Sequence, residues 1–271
     1  MHTDEPRPVL LCAVARLRPW LLAGLTALVT GEALAQGALP RGFVYLRDID
    51  PTIAQDIRYA TSDNFVGRPL SGYEAGECVL RREAAAALKQ VQADLRGAGL
   101  ALKVYDCYRP ERAVRAMAQW AADGRPGAST KRFFPRQQKA RLLALGYIAA
   151  SSRHSAGTAV DLTLVDVSHA QAAGFDAKAH YGPCTAPLAE RAPDDGMDMG
   201  TGYDCFDVMS YTASSAVGPD HRKWRAVLVA AMARHGFKNY FREWWHFTYA
   251  GGAPPSHYDF PIPPRARKSP G

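Results

Sequence analysis

Four residues in two short stretches carry the chemistry of this sequence. SSRHSAGTAVDLTL, residues 151–164, holds His154 and Asp161 seven positions apart. EWWHF, residues 243–247, holds Glu243 and His246 around two tryptophans. Each stretch is bland alone. A lone histidine is usually a hydrogen-bonded core or surface residue, a lone aspartate usually caps a turn, and EWWHF by itself fits a core aromatic strand. Together, His154, Asp161 and His246 form a His/Asp/His set of the N and O ligands that zinc takes. Three protein ligands leave a fourth position for water, which marks a catalytic rather than a structural ion. Glu243, three residues from a ligand, is placed to work on that water as a general base.

Local structure must bring these four together. On one straight strand His154 and Asp161 would point to opposite faces, so Ser155-Ala156-Gly157 is read as a turn that lets a loop histidine meet a strand aspartate. Glu243 and His246 share a face on a helix but not on a strand. The aromatic run therefore has to bend or bulge at Trp244-Trp245, with the two rings packing on either side to fix the bend.

The surrounding pattern supplies a scaffold. Residues 43–49, 101–108, 159–167 and 243–249 read as strands. Residues 83–99, 111–124, 136–146 and 220–236 read as helices, the first and last stopped by glycine and the second opened by Pro110. Residues 168–203, rich in Gly, Pro, Asp and Ala, read as a long loop. The tail from Gly251 holds six prolines and is expected to lie extended over the surface. Strands scatter among helices without a βαβ rhythm or a G-x-G-x-x-G, so the fold class is α+β rather than a dinucleotide-binding sheet.

Composition narrows the function classes. With 47% hydrophobic and 22% charged residues in 271, the chain can bury a globular core and is neither fibrous nor disordered. The formal charge of +7 gives a generally basic surface. It comes without a Lys/Arg arm or an aromatic nucleic-acid module, so a nucleic-acid partner is not expected. Arg16 and Arg18 precede the apolar run WLLAGLTALV, residues 20–29, and Ala33-Leu34-Ala35 follows as a small-x-small cleavage pattern. This is a secretory signal peptide over residues 1–35. Its apolar core is too short to span a bilayer, so export, to the periplasm, is expected with no stable membrane anchor after cleavage. The mature domain is then 36–263, with 264–271 a flexible tail.

Export changes the meaning of cysteine. Cys78, Cys107, Cys184 and Cys205 remain in the mature chain, and an oxidising compartment favours disulfides. Four cysteines allow three pairings. Cys184 and Cys205 are the closest pair and bracket a loop-like stretch, which favours Cys78–Cys107 with Cys184–Cys205. Four buried thiols are the alternative.

Several separated stretches resemble, in order, the zinc D-alanyl-D-alanine dipeptidases that give vancomycin resistance or serve peptidoglycan turnover. They are RYATSDNFVGRPLSGYE (58–74), YDCYRPERAV (105–114), the S-x-H-x6-D stretch, MGTGYD (199–204), EWWH (243–246) and YDFP (258–261). The resemblance spans about residues 43–260. It implies a small α+β metallopeptidase fold, a mostly antiparallel sheet with packed helices, holding one Zn2+ per chain. It assigns His154, Asp161 and His246 as ligands, Glu243 as base and Arg109 as the stabiliser of the transition state. Tyr59, Ser152 and Asp204 match positions lining a D-Ala-D-Ala site: Asp204 for the ammonium, Ser152 for the carboxylate. The bland alternatives are turn capping for Ser152 and Asp204, and a helix-start salt bridge with Asp106 or Glu111 for Arg109. Residues 165–198 read as an insert relative to the shortest relatives, one that could cover the site. A cell-wall D,D-carboxypeptidase or endopeptidase, or a zinc-containing protein without catalysis, are the other readings. An exported enzyme fits wall turnover better than resistance.

Overall fold

The computed structural model describes residues 39–168, 174–251 and 256–266. The expected leader, residues 1–35, and the end of the expected tail lie outside them.

Among the described residues, seven strands and four α-helices form an α+β domain. Strands β1 (Phe43–Tyr45) and β3 (Val79–Arg81) pair antiparallel as a small ribbon. The main sheet takes β2 (Ala54–Gln55), β4 (Leu100–Asp106), β5 (Ala159–Asp166), β7 (His246–Tyr249) and β6 (Phe237–Asn239), in that spatial order. All its pairs are antiparallel except β2 with β4. A single helical turn, α1 (Leu46–Ile49), follows β1. The longer helices are α2 (Arg82–Arg96), α3 (Glu111–Ala122) and α4 (Pro219–Arg234).

Sequence explains each helix. In α2 the buried residues Ala84, Leu88, Val91 and Leu95 recur at helical spacing along one stripe. Pro219 opens α4 with a φ that suits a first helical position. Helices α2 and α4 pack on each other and on the sheet. Alternation along β5 sends Val160, Leu162 and Leu164 into that core, which Leu88, Leu228 and Phe247 share. It sends Asp161 and Thr163 to the other face.

Two expectations need correction. Residues 136–146 are not an α-helix. Pro135 precedes them, and they form a short 3-10 turn, Lys139–Arg141, with further turns up to Gly146. Helical propensity is overridden because Leu142 must reach the core while the following chain crosses the cleft. The strand expected over 43–49 stops at Tyr45. Over 256–266 the proline-rich tail does run extended over the surface, and it is anchored there. Phe260 stacks on Tyr108 with centroids 4.1 Å apart, and Ile262 is buried. Asp259 accepts a hydrogen bond from the Arg112 backbone N–H at 2.7 Å, so the tail caps the first turn of α3. Among the described residues no helix is long and apolar enough to cross a membrane.

Candidate active site

Register builds the site. Asp161 on β5 lies opposite His246 on β7 and opposite Asp106 at the end of β4, beside an irregularity between Val104 and Asp106. Three functional side chains therefore stand in a row across three strands, and cross-strand partners share a face.

His154 enters from the loop before β5, on a 3-10 turn over Arg153–Ala156. The Ser152 hydroxyl caps that turn, accepting the His154 backbone N–H at 3.2 Å, and Gly157 closes it with φ 71°. A Cβ at Gly157 would collide with the Phe43 ring, so only glycine fits. The second bend is also present. The His246 backbone N–H donates to the Glu243 carbonyl at 3.2 Å, so residues 243–246 turn before the strand starts. Trp244 and Trp245, both buried, meet edge to face at 5.3 Å inside that turn. The Trp244 indole donates to the Thr201 hydroxyl at 2.9 Å.

The three ligand atoms converge. His154 Nε2 lies 3.1 Å from His246 Nδ1 and 3.3 Å from Asp161 Oδ1, and His246 Nδ1 lies 3.0 Å from Asp161 Oδ1. A tetrahedral ion with bonds of about 2.0–2.1 Å separates its donors by about 3.3 Å, so the triangle fits a zinc-sized cation. The outer partners fix which lone pairs point inward. His154 Nδ1 lies 2.6 Å from the Cys107 carbonyl and so must donate to it, which frees Nε2. His246 Nε2 faces the Thr248 hydroxyl at 3.4 Å. The Tyr203 hydroxyl donates to Asp161 Oδ2 at 3.0 Å, leaving Oδ1. Burial works against the charge on Asp161, yet the two imidazoles hold its carboxyl well below the usual range. Burial also opposes charge on His246, but the Asp161 carboxylate outweighs it and raises this imidazole. Three mutually facing acceptors with one net negative charge form a cation's donor set.

Around this triangle lies a cleft of about 240 Å³. Glu243 lines it, with a carboxylate oxygen 3.8 Å from His246 Nδ1. Burial pushes the Glu243 carboxyl up to about 7, where a general base exchanges protons most effectively at neutral pH. Arg109 lines it too. Its Nε and Nη2 each sit 2.8 Å from Asp106 Oδ2, Nη2 is 3.6 Å from Asp161, and the guanidinium lies 4.8 Å over the Tyr59 ring. The salt bridge with Asp106 and the place in the cleft thus hold together: the first fixes the second.

Tyr59 and Asp204 close one end. The Tyr59 hydroxyl donates to Asp204 Oδ2 at 2.7 Å. Asp204 is held at φ 55°, a left-handed position that aspartate tolerates better than most residues. Burial, then the nearby Asp161, raises the Asp204 carboxyl well above its usual range, an environment that a cationic ligand would relieve. Ser152 caps its turn and also lines the cleft.

Residues missed in the sequence are Tyr203 and the wall formed by 146–149, and Asp106 was weighed only as one of two salt-bridge partners for Arg109. Asp106, fully buried, also accepts the Tyr73 hydroxyl at 2.6 Å. Its clue was its position three residues before Arg109, and Tyr203 sits next to Asp204 within MGTGYD. Among the described residues none of those lining the cleft falls within 165–198, and the far wall comes from Gly146, Tyr147, Ile148 and Ala149. The described part of 165–198 packs elsewhere, where Asp194 binds Lys103 and Arg58, each at 2.7 Å. Both disulfides are present, Cys78–Cys107 and Cys184–Cys205.

An α+β sheet that gathers a His/Asp/His donor set, a buried carboxylic acid and a fixed arginine in one cleft defines a metallohydrolase. Residues 40–177 and 190–263 match the D-ala-D-ala dipeptidase family of peptidases, and the chain belongs to that family of metal-dependent enzymes. A D-alanyl-D-alanine dipeptidase of Enterococcus faecium is 31% identical over 82% of this chain and 98% of its own length. One of Streptomyces coelicolor is 34% identical over 81% and 98%. A zinc-bound mutant of the vancomycin-resistance D,D-pentapeptidase VanY aligns over 67% of this chain and 78% of its own, at 17% identity and a TM-score of 0.33, too distant for a residue-by-residue comparison. The family match skips residues 178–189, so the insert is shorter than 165–198.

Proposed function

We propose that this protein hydrolyses free D-alanyl-D-alanine to two molecules of D-alanine, using one Zn2+ held by His154, Asp161 and His246. The observation that carries this reading is the pairing, in one cleft, of the convergent donor triangle with a buried Asp204–Tyr59 end suited to a free ammonium. Zinc bound by these three atoms would acidify a water and polarise the scissile carbonyl. Glu243 takes the proton of the attacking water and delivers it to the leaving amine as the C–N bond breaks. Arg109, held by Asp106, presents a fixed cation to the charge that grows on the carbonyl oxygen, a contribution of about 10²–10³ in turnover. Asp204 pairs with the substrate ammonium, Tyr59 walls that end, and Ser152 offers its hydroxyl proton to the carboxylate.

Export of the mature domain belongs to the same proposal. The leader-like segment 1–35 and the two disulfides support an oxidising, periplasmic setting, in which the enzyme recycles wall-derived dipeptide. Cell fractionation with N-terminal sequencing of the mature chain tests the export. The activity is tested by offering the zinc-loaded enzyme free D-Ala-D-Ala and a cross-linked muropeptide. Release of D-alanine from the dipeptide alone is expected. Preference for the muropeptide would move the assignment to an endopeptidase or carboxypeptidase, and no hydrolysis of either to a protein without catalysis.

A further inference from the structure

The charges of the cleft are unevenly placed. Three carboxylates line it, Asp161, Asp204 and Glu243, against two guanidinium groups, Arg109 and Arg153. Arg109 is committed, since two of its nitrogens hold the fully buried Asp106. Arg153 is exposed, and among the described residues it makes no ion pair or side-chain hydrogen bond. An exposed arginine is usually only solvated. This one is tethered beside the chemistry, however. It directly precedes the ligand His154 on the short capped turn. The His154 carbonyl accepts the Arg109 and Gly157 backbone N–H groups at 3.2 and 2.9 Å, and the Ser155 hydroxyl donates to the Arg109 carbonyl at 2.8 Å. The backbone that carries Arg153 is thus braced to both the donor triangle and Arg109, while its head group is uncommitted.

We propose that Arg153 is a specificity-determining residue that takes the free C-terminal carboxylate of the substrate. The inference rests on the dipeptidase reading and deepens it. A dipeptide zwitterion brings two charges into the cleft, set apart by nearly two residues' length, about 6 Å in an extended dipeptide, to either side of the scissile bond. Asp204 supplies the partner for the ammonium. The carboxylate has to pass Glu243, a lining acid outside the donor set whose ionised form repels it, so a cation on that side favours retention of the ligand. Arg153 is the lining cation not already neutralised by a buried acid. Its planar fork matches a carboxylate in a two-point hydrogen bond. Ser152, one residue earlier, contributes its hydroxyl to the same anion.

The test compares D-Ala-D-Ala with its C-terminal amide on the zinc-loaded wild type, Arg153→Ala and Arg153→Lys. Hydrolysis gives KM and kcat, and calorimetric binding is measured in a Glu243→Gln background. Because Arg153 is solvent-exposed, screening limits its effect to roughly tenfold. The wild type is expected to favour the acid over the amide by about that factor in KM and in Kd. Arg153→Ala should erase the preference with kcat nearly unchanged, and Arg153→Lys should restore part of it. A preference that survives Arg153→Ala, or an equal loss on acid and amide, overturns the proposal, the second outcome marking a merely structural role. If the wild type hydrolyses neither peptide, the dipeptidase reading falls, and the calorimetric ratio still decides on Arg153. No binding of either peptide overturns both.

Discussion

Asp161 and His246 are cross-strand partners on β5 and β7, with carboxylate and imidazole 3.0 Å apart. A slip of one residue in that register would send one of them through the sheet to the helix-covered side, so the hydrogen-bond ladder of the sheet aligns the donor set. His246→Ala should therefore purify with less than a tenth of the wild-type zinc, whereas Glu243→Gln should keep its zinc and lose activity. Metal analysis of both proteins checks this. Because the ion binds only the folded state, it should stabilise the wild type by about 2.7 kcal/mol at a free zinc concentration a hundredfold above Kd. A chelator should lower Tm in the wild type and leave His246→Ala unmoved.

The Cys107 carbonyl ties the first disulfide to the same donor set, since it accepts His154 Nδ1–H. Replacing Cys78 and Cys107 together by serine should cost roughly 3–4 kcal/mol in the chain-entropy account of a bridge closing a separation of 29 residues. It should also weaken zinc binding by about ten- to a hundredfold, the usual scale for loss of an outer partner. Denaturant unfolding gives the first effect and competition with a chromogenic chelator the second. Unchanged zinc affinity would separate the bridge from the site.

Much of the site was legible because its chemistry is written in residue types that few other roles demand together. His154, Asp161, Glu243 and His246 could be grouped from spacing, and the turn at Trp244-Trp245 followed from the need to place Glu243 beside His246. Asp106 was harder to see. As a partner for Arg109 it stood level with Glu111, and the structure, with Asp106 in register opposite Asp161, shows which of the two is the anchor. The 136–146 segment failed for a different reason. Its composition suits a helix, but its path is set by Leu142 in the core and by the cleft wall that follows, neither of which is local. The tail's extended course over the surface was legible from its prolines, but not its anchors. Its caps on α3 and its stack on Tyr108 are long-range contacts that no local pattern encodes.

Asp106 gives the third prediction. Its carboxylate is fully buried and accepts from Arg109 and Tyr73. Asp106→Ala leaves a buried guanidinium without its counter-charge, which typically costs about 3–5 kcal/mol. Activity should fall by about the 10²–10³ expected for a lost oxyanion donor, because Arg109 is no longer held over Tyr59. Arg109→Lys keeps a charge in place and should fold more nearly like wild type, yet lose comparable turnover, since an ammonium cannot engage Asp106 and the substrate with the same fork. Urea unfolding alongside kcat and zinc content separates the two variants. Asp106→Ala with wild-type kcat would remove the anchoring role.

Size selection is the last prediction and turns on Asp204. Its buried carboxyl touches the Tyr59 hydroxyl and is raised by burial and by Asp161, so it gains most from a cation placed against it. A free dipeptide brings an ammonium there. A longer peptide brings a neutral amide, which leaves the acid without a charged partner in a confined end. A lost charged hydrogen bond costs about 1.5–3 kcal/mol, or roughly ten- to a hundredfold in discrimination. N-acetyl-D-Ala-D-Ala should therefore show kcat/KM at least tenfold below D-Ala-D-Ala. Asp204→Asn should weaken the free dipeptide far more than the blocked one, narrowing the ratio from the top. The residues that enforce this choice come from the Tyr59 and Asp204 stretches rather than from 165–198, so trimming 176–180, which lines no part of the cleft and leaves Cys184 bonded to Cys205 beside Asp204, should leave the ratio unchanged. Steady-state kinetics on both peptides with the three proteins checks it. Equal rates on blocked and free dipeptide in the wild type would remove the dipeptidase assignment and leave a carboxypeptidase or endopeptidase.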